Sequence, residues 1–86
     1  MARYISMHTL ACLTRQGADA LVAKLRAAEA MRTRRVLLNM QEGKMLVEFE
    51  AAGREDLERW LAENHFHHDW LLRRELEATE GPLEPL

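Results

Sequence analysis

From Arg3 to Ala11 the chain alternates, with Ile5, Met7, Thr9 and Ala11 on one side and Tyr4, Ser6, His8 and Leu10 on the other. A period of two predicts a β-strand, and no helical pattern competes with it. From Ala18 to Arg32 the period lengthens to 3.6. Ala18, Leu21, Val22, Leu25 and Ala28 then share one face, opposite Asp19, Ala23 and Arg26. This predicts an amphipathic helix, with Thr14 as its N-cap and alanine adding intrinsic propensity. A hairpin follows, turning on Glu42-Gly43, where glycine accepts a positive φ. A two-residue turn there sets Met40 opposite Met45, Leu38 opposite Val47 and Val36 opposite Phe49, one wholly apolar face. The other face carries Arg35 opposite Glu50, Leu37 opposite Glu48 and Asn39 opposite Leu46. A slip of one residue would mix the two sets.

Gly53 opens a second helix, whose first turn holds Glu55 and Asp56 at the positive end of the helix dipole. Leu57, Trp60, Leu61 and Asn64 line its inner side, and the chain leaves it around Asn64 and His65. From Asp69 to Glu77 alternation returns, predicting a last strand, although the same residues would also continue as helix. Trp60 and Trp70 fall at core parity. Gly81, Pro82 and Pro85 mark residues 79–86 as a flexible tail without regular structure, leaving 1–78 as the domain.

The predicted order is β-α-β-β-α-β, an α+β chain. Two right-handed strand–helix–strand units put both helices on one side of a four-stranded antiparallel sheet, the ferredoxin-like arrangement, with the first and third strands central. On this reading the helices cover Ile5, Met7, Val36, Leu38, Val47 and Phe49. The open face then shows Tyr4, Ser6, His8, Leu10, Leu37, Leu46, Glu48 and Leu71. So apolar a surface calls for a partner, and a homodimer or higher oligomer is the simplest one.

Composition narrows the function classes. Eighty-six residues make one domain, with a core small enough to welcome oligomerisation. Cys12 is the only cysteine, so no disulfide framework exists, and a lone thiol fits a reducing cytoplasm. The first residues have no long apolar run, so neither a signal peptide nor a membrane span is expected. Twelve Lys+Arg against 14 Asp+Glu give a net charge of −2 and no basic patch for nucleic acid. The third strand would show Leu46, Glu48 and Glu50 where RNA-binding sheets show stacking aromatics. Soft-metal chaperones of this shape need paired cysteines after the first strand, and no glycine-rich phosphate loop is present.

Histidine carries the candidate chemistry. An antiparallel last strand begins beside the end of the first, bringing His67 and His68 near His8. Glu48 on the neighbouring strand adds an oxygen ligand, and imidazoles with a carboxylate suit Ni²⁺ or Zn²⁺. The alternative is that His65, His67 and His68 are a solvated helix exit, with His65 favoured by the negative helix end. Tyr4, His8 and Glu48 would also line a ligand cavity, where His8 with Glu48 or with Tyr4 makes a general acid–base pair. The plain alternative is a hydrogen-bonded polar contact. Cys12 reads as a small buried hydrophobe.

Three stretches carry a resemblance: Met1-Ala-Arg-Tyr-Ile-Ser-Met-His8, Leu13-Thr-Arg-Gln16, and the run from Glu42 to Leu57. They resemble a family of small dimeric ferredoxin-like bacterial proteins of unknown function that includes nickel-binding members. The resemblance implies a histidine of the first strand in the site, at His8, and a His-rich turn ending in Asp before the last strand, around His65 to Asp69. The expected function is a cytoplasmic homodimer binding a divalent metal or small ligand at its open sheet face. Two further classes stay open. One is a cofactor-free dimeric α+β barrel enzyme, an isomerase or monooxygenase with His8 as acid/base; the other is a structural or regulatory interaction module.

Overall fold

The computed structural model describes residues 1–86. The chain runs β1 (Ala2–Thr9), α1 (Arg15–Ala27), β2 (Met31–Asn39), β3 (Lys44–Ala51), α2 (Arg54–Glu63), β4 (Trp70–Arg74), β5 (Leu76–Glu77) and β6 (Glu84–Pro85). β1 to β4 form one antiparallel sheet in the order β2-β3-β1-β4. Both helices cover one face of it. Leu25 of α1 and Leu57 and Leu61 of α2 join Tyr4, Met45, Val47, Phe49 and Leu71 in a single core. No helix is long and apolar enough to cross a membrane.

Local chemistry sets the helix ends. Thr14 Oγ1 accepts from Gly17 N at 2.9 Å, the N-cap bond expected of it. α1 stops at Ala27, short of Arg32, because Ala28 turns extended and Met31 enters the sheet opposite Ala51. Buried Met31 and Thr33 gain more there than the alanine-rich segment gains from another helical turn. At the far end of α2, Phe66 N bonds to Leu61 O at 2.9 Å and His65 N to Ala62 O at 3.2 Å. This double closure needs its middle residue in the left-handed region, and His65 sits there at φ 53°. An L side chain at that angle is strained, so His65→Gly is expected to raise stability by about 1 kcal/mol. Urea unfolding midpoints would check it.

The hairpin keeps its predicted faces but not its predicted register. Asn39 pairs with Lys44, Leu38 with Met45, Leu37 with Leu46, Val36 with Val47 and Arg35 with Glu48. The loop is therefore four residues, Met40 to Gly43. Asn39 Oδ1 accepts from Glu42 N at 3.0 Å, and Gly43 turns at φ 63° with its carbonyl accepting from Leu10 N at 2.8 Å. A Cβ on Gly43 would lie 2.7 Å from the Leu10 carbonyl oxygen, so the wider loop also needs glycine. The shift is by two residues, an even number, which is why every side chain stays on its face. A bulge between Thr33 and Arg35 restores Arg32 opposite Glu50.

The faces of β1 are the reverse of those expected. Tyr4, Ser6 and His8 lie under the helices, while Ile5 and Met7 lie on the open face. The cause is the pairing with β3. Tyr4 stands opposite Phe49, Ser6 opposite Val47 and His8 opposite Met45, so they share the side that β3 buries. β4 follows the same rule. Leu71 pairs with Ser6 and is buried, whereas Trp70 pairs with Met7 and Leu72 with Ile5 on the open side. Trp70 is thus 44% exposed rather than a core residue. Nor is the C-terminal segment irregular throughout. It turns back through Gly81 and Pro82, β6 pairs with β5, and Leu86 N bonds to Glu75 O at 3.0 Å.

Candidate functional site

Two places hold chemistry, on opposite sides of the sheet. The first is His8, fully buried where β1 meets the segment between α2 and β4. Its Nδ1 lies 2.7 Å from the His67 carbonyl oxygen and its Nε2 lies 2.6 Å from Ser6 Oγ. A carbonyl only accepts, so Nδ1 carries the proton and neutral Nε2 accepts from the Ser6 hydroxyl. The ring stacks on Phe66, with centroids 3.8 Å apart and planes 6° from parallel, and meets His68 edge-on at 6.5 Å. The closure after α2 is what delivers Phe66 to this position. Asp69 N then bonds to Met7 O at 2.7 Å and starts the pairing of β4 with β1.

Burial pushes the His8 pKa below its ordinary 6.5. The charge of His68 adds to that, while the His67 carbonyl and Asp69 oppose it. A histidine depressed in the folded state contributes stability that is complete above pH 6.5 and is lost as pH falls below it toward the folded value. A second loss belongs to Glu48 and Glu50, whose carboxyls lie below their ordinary 4.5 through hydrogen bonds from Arg35 and Arg34 respectively. Stability should therefore be level above pH 7, fall from pH 6.5 downward, and fall again below pH 4.5. Unfolding midpoints across that range, with His8→Asn removing only the first step, would check it.

The sequence expectation brought Tyr4, His8 and Glu48 to one cavity, and the structure does not. Tyr4 and His8 are beneath the helices, whereas Glu48 pairs with Ile5 and faces the open side. Glu48 is held there by Arg35, Nε at 2.9 Å and Nη2 at 3.0 Å, with Arg74 Nη1 at 3.5 Å. His8, His67 and His68 are adjacent as topology required. His67, however, meets His8 through its backbone carbonyl, and its side chain is exposed. No group of three or more His, Cys, Asp or Glu side chains converges as metal donors do. His8 would have to release Ser6 or His67 to offer a nitrogen, so the donor set does not fit Ni²⁺ or Zn²⁺. The Ser6–His8–carbonyl chain has the form of an activated nucleophile, but both side chains are sealed from any substrate. Cys12, read as buried, is exposed with φ 54°.

The second place is the open face. Ile5, Met7, Leu37, Leu46, Trp70 and Leu72 form an apolar field across all four strands, with Leu37 43% and Leu72 58% exposed. A groove of about 700 Å³ runs through its upper part, between Leu37, Leu46, Met7 and Trp70. Its polar end is already paired. Lys44 Nζ donates to Thr9 Oγ1 at 2.7 Å, Thr9 donates to Asp69 Oδ2 at 2.5 Å, and Asn39 Nδ2 donates to Glu42 at 2.7 Å. Toward the other end of the strands the face turns charged. Glu50 takes Arg34 and Arg3, and Glu77 takes Arg74 at 2.7 Å. Sequence reasoning missed Ile5, Met7, Trp70 and Leu72 as members of this face. The available signal was the demand of His8 for polar partners, one of which, the His67 carbonyl, comes from the loop before β4. No protein-family model, curated protein or solved structure matches the chain.

Proposed function

We propose that this protein is a small homodimer, of the ferredoxin-like β-α-β-β-α-β arrangement, that uses its open sheet face to hold a second copy and a small apolar ligand between them. The observation that carries the reading is the field of Ile5, Met7, Leu37, Leu46, Trp70 and Leu72, left bare by both helices. Burying such side chains is worth about 1.5–3 kcal/mol each when complete, so even partial burial of six favours pairing. The groove volume falls within the range of small-molecule sites, and its walls are apolar with polar groups confined to one end. The exposed single thiol of Cys12 fits a reducing cytoplasm.

The reading makes the role of the face one of binding. His8, the acid/base of an isomerase or monooxygenase reading, is on the wrong side of the sheet to reach a molecule in the groove. Trp70 reports on the proposal directly. In a Trp60→Phe background its emission should be blue-shifted at micromolar protein and move to the red on dilution as copies separate. A small hydrophobic molecule entering the groove should change that emission without changing the particle mass. Emission of a solvated indole at all concentrations, unaffected by apolar molecules, would contradict the reading.

A further inference from the structure

Resting on that reading, we infer that the small molecule of the groove is a hydrophobic amine, whose apolar body lies on Leu46 and Met7 and whose ammonium group meets Glu42. The apolar row of the groove crosses the four strands as Leu37, Leu46, Met7 and Trp70. Along its hairpin side runs a polar row of Asn39, Lys44 and Thr9 on β2, β3 and β1. Glu42 closes that row at the Asn39 end, and Asp69 closes it at the Thr9 end. A molecule lying on the apolar row therefore has its polar end beside these groups.

The hydrogen bonds of the polar row are satisfied, but its charges are not. One ammonium group, Lys44, stands against two carboxylates, Glu42 and Asp69, which leaves one negative charge over. Lys44 is drawn to the Asp69 side, where Nζ donates to Thr9 Oγ1 at 2.7 Å and lies 4.0 Å from Asp69 Oδ2. Glu42 has only the neutral amide of Asn39, which donates to Oε2 at 2.7 Å and leaves Oε1 without a partner. Elsewhere on the open face each carboxylate has a cation. Glu48 has Arg35, Glu50 has Arg34, and Asp69 has Lys44. The Glu42 carboxylate is also held in place, because the backbone N–H of the same residue donates to Asn39 Oδ1 at 3.0 Å. An ammonium group at Glu42 supplies the missing charge. A carboxylate there would face both acidic groups, with only the engaged Lys44 to attract it. A hydroxyl would find an acceptor but neutralise nothing. From Glu42, a chain of about eight carbons crosses Leu46 and reaches Met7 and the edge of Trp70, two strand spacings or ~10 Å away.

The test titrates n-octylamine, 1-octanol and octanoate at pH 7.5 into the Trp60→Phe protein, where Trp70 is the one tryptophan left to report binding. Octylamine should bind about fivefold more tightly than octanol, the effect of a part-exposed ion pair, and octanoate should bind more weakly than either. Glu42→Gln keeps an acceptor for Asn39 and removes the charge. It should bring octylamine to the affinity of octanol and leave octanol unchanged. Glu63→Gln, the same loss of charge at the end of α2, should leave the preference for octylamine intact. Octylamine no tighter than octanol, octanoate the tightest of the three, or a preference that survives Glu42→Gln would overturn the amine while leaving the groove as a binding site. Binding of none of the three would overturn the ligand role of the groove, and the amine with it.

Discussion

His8→Ala is expected to lower stability by about 4 kcal/mol at pH 7.5, most of what a domain of this size has. Two effects add. The ring fills a fully buried site against Phe66, and its loss leaves a cavity that Phe66 and Met45 cannot close without moving the strand pairing. Ser6 Oγ and the His67 carbonyl also lose their partner at once, in a place water does not reach. His8→Asn separates the two, since its amide N–H can replace Nδ1 while the ring is still lost. Denaturant unfolding at one fixed protein concentration should rank wild type above His8→Asn above His8→Ala. A His8→Ala protein as stable as wild type would show that the buried chain of hydrogen bonds does not hold the loop to β1.

The second large effect is on assembly. Leu46→Lys is expected to weaken self-association by about 3 kcal/mol, on the order of a 100-fold rise in dissociation constant. Leu46 sits on a central strand between Leu37 and Met7, so it is the member of the apolar row most enclosed when two faces meet. An ammonium group there has no carboxylate to meet and must be dehydrated. The monomer should be little harmed, because the side chain points away from the core. Val47→Ala does the opposite. It truncates a fully buried core residue next in sequence, lowering stability of the subunit through a cavity. Ala23→Lys, the same charge on the solvent face of α1, should leave association unchanged.

How legible all this was depends on the element. The faces of β2 and β3 could be read because the turn at Gly43 fixes which side chains share a side, grouping Val36, Leu38, Met45, Val47 and Phe49 apart from Arg35, Lys44, Glu48 and Glu50, and an error of two in register leaves parity intact. The faces of β1 could not be read the same way. Ile5 and Met7 outrank Tyr4, Ser6 and His8 in hydrophobicity, so local pattern chose the wrong side. What overrides it is tertiary: His8 finds Ser6, the His67 carbonyl and Phe66 on the covered side. Antiparallel neighbouring correctly placed the loop of His67 and His68 beside His8. It could not show that His67 would present its carbonyl rather than its imidazole. Trp70 and Leu72 went astray with β1, since one parity governs both strands.

The claim on which the account turns is that the open sheet face is covered by a second copy of the same chain. Light scattering coupled to size exclusion, on untagged protein at micromolar concentration, measures this without any variant. The account predicts a particle of twice the 10.0 kDa chain mass, or a higher even multiple. A clean 10.0 kDa species, holding that mass as the concentration is raised, would contradict it.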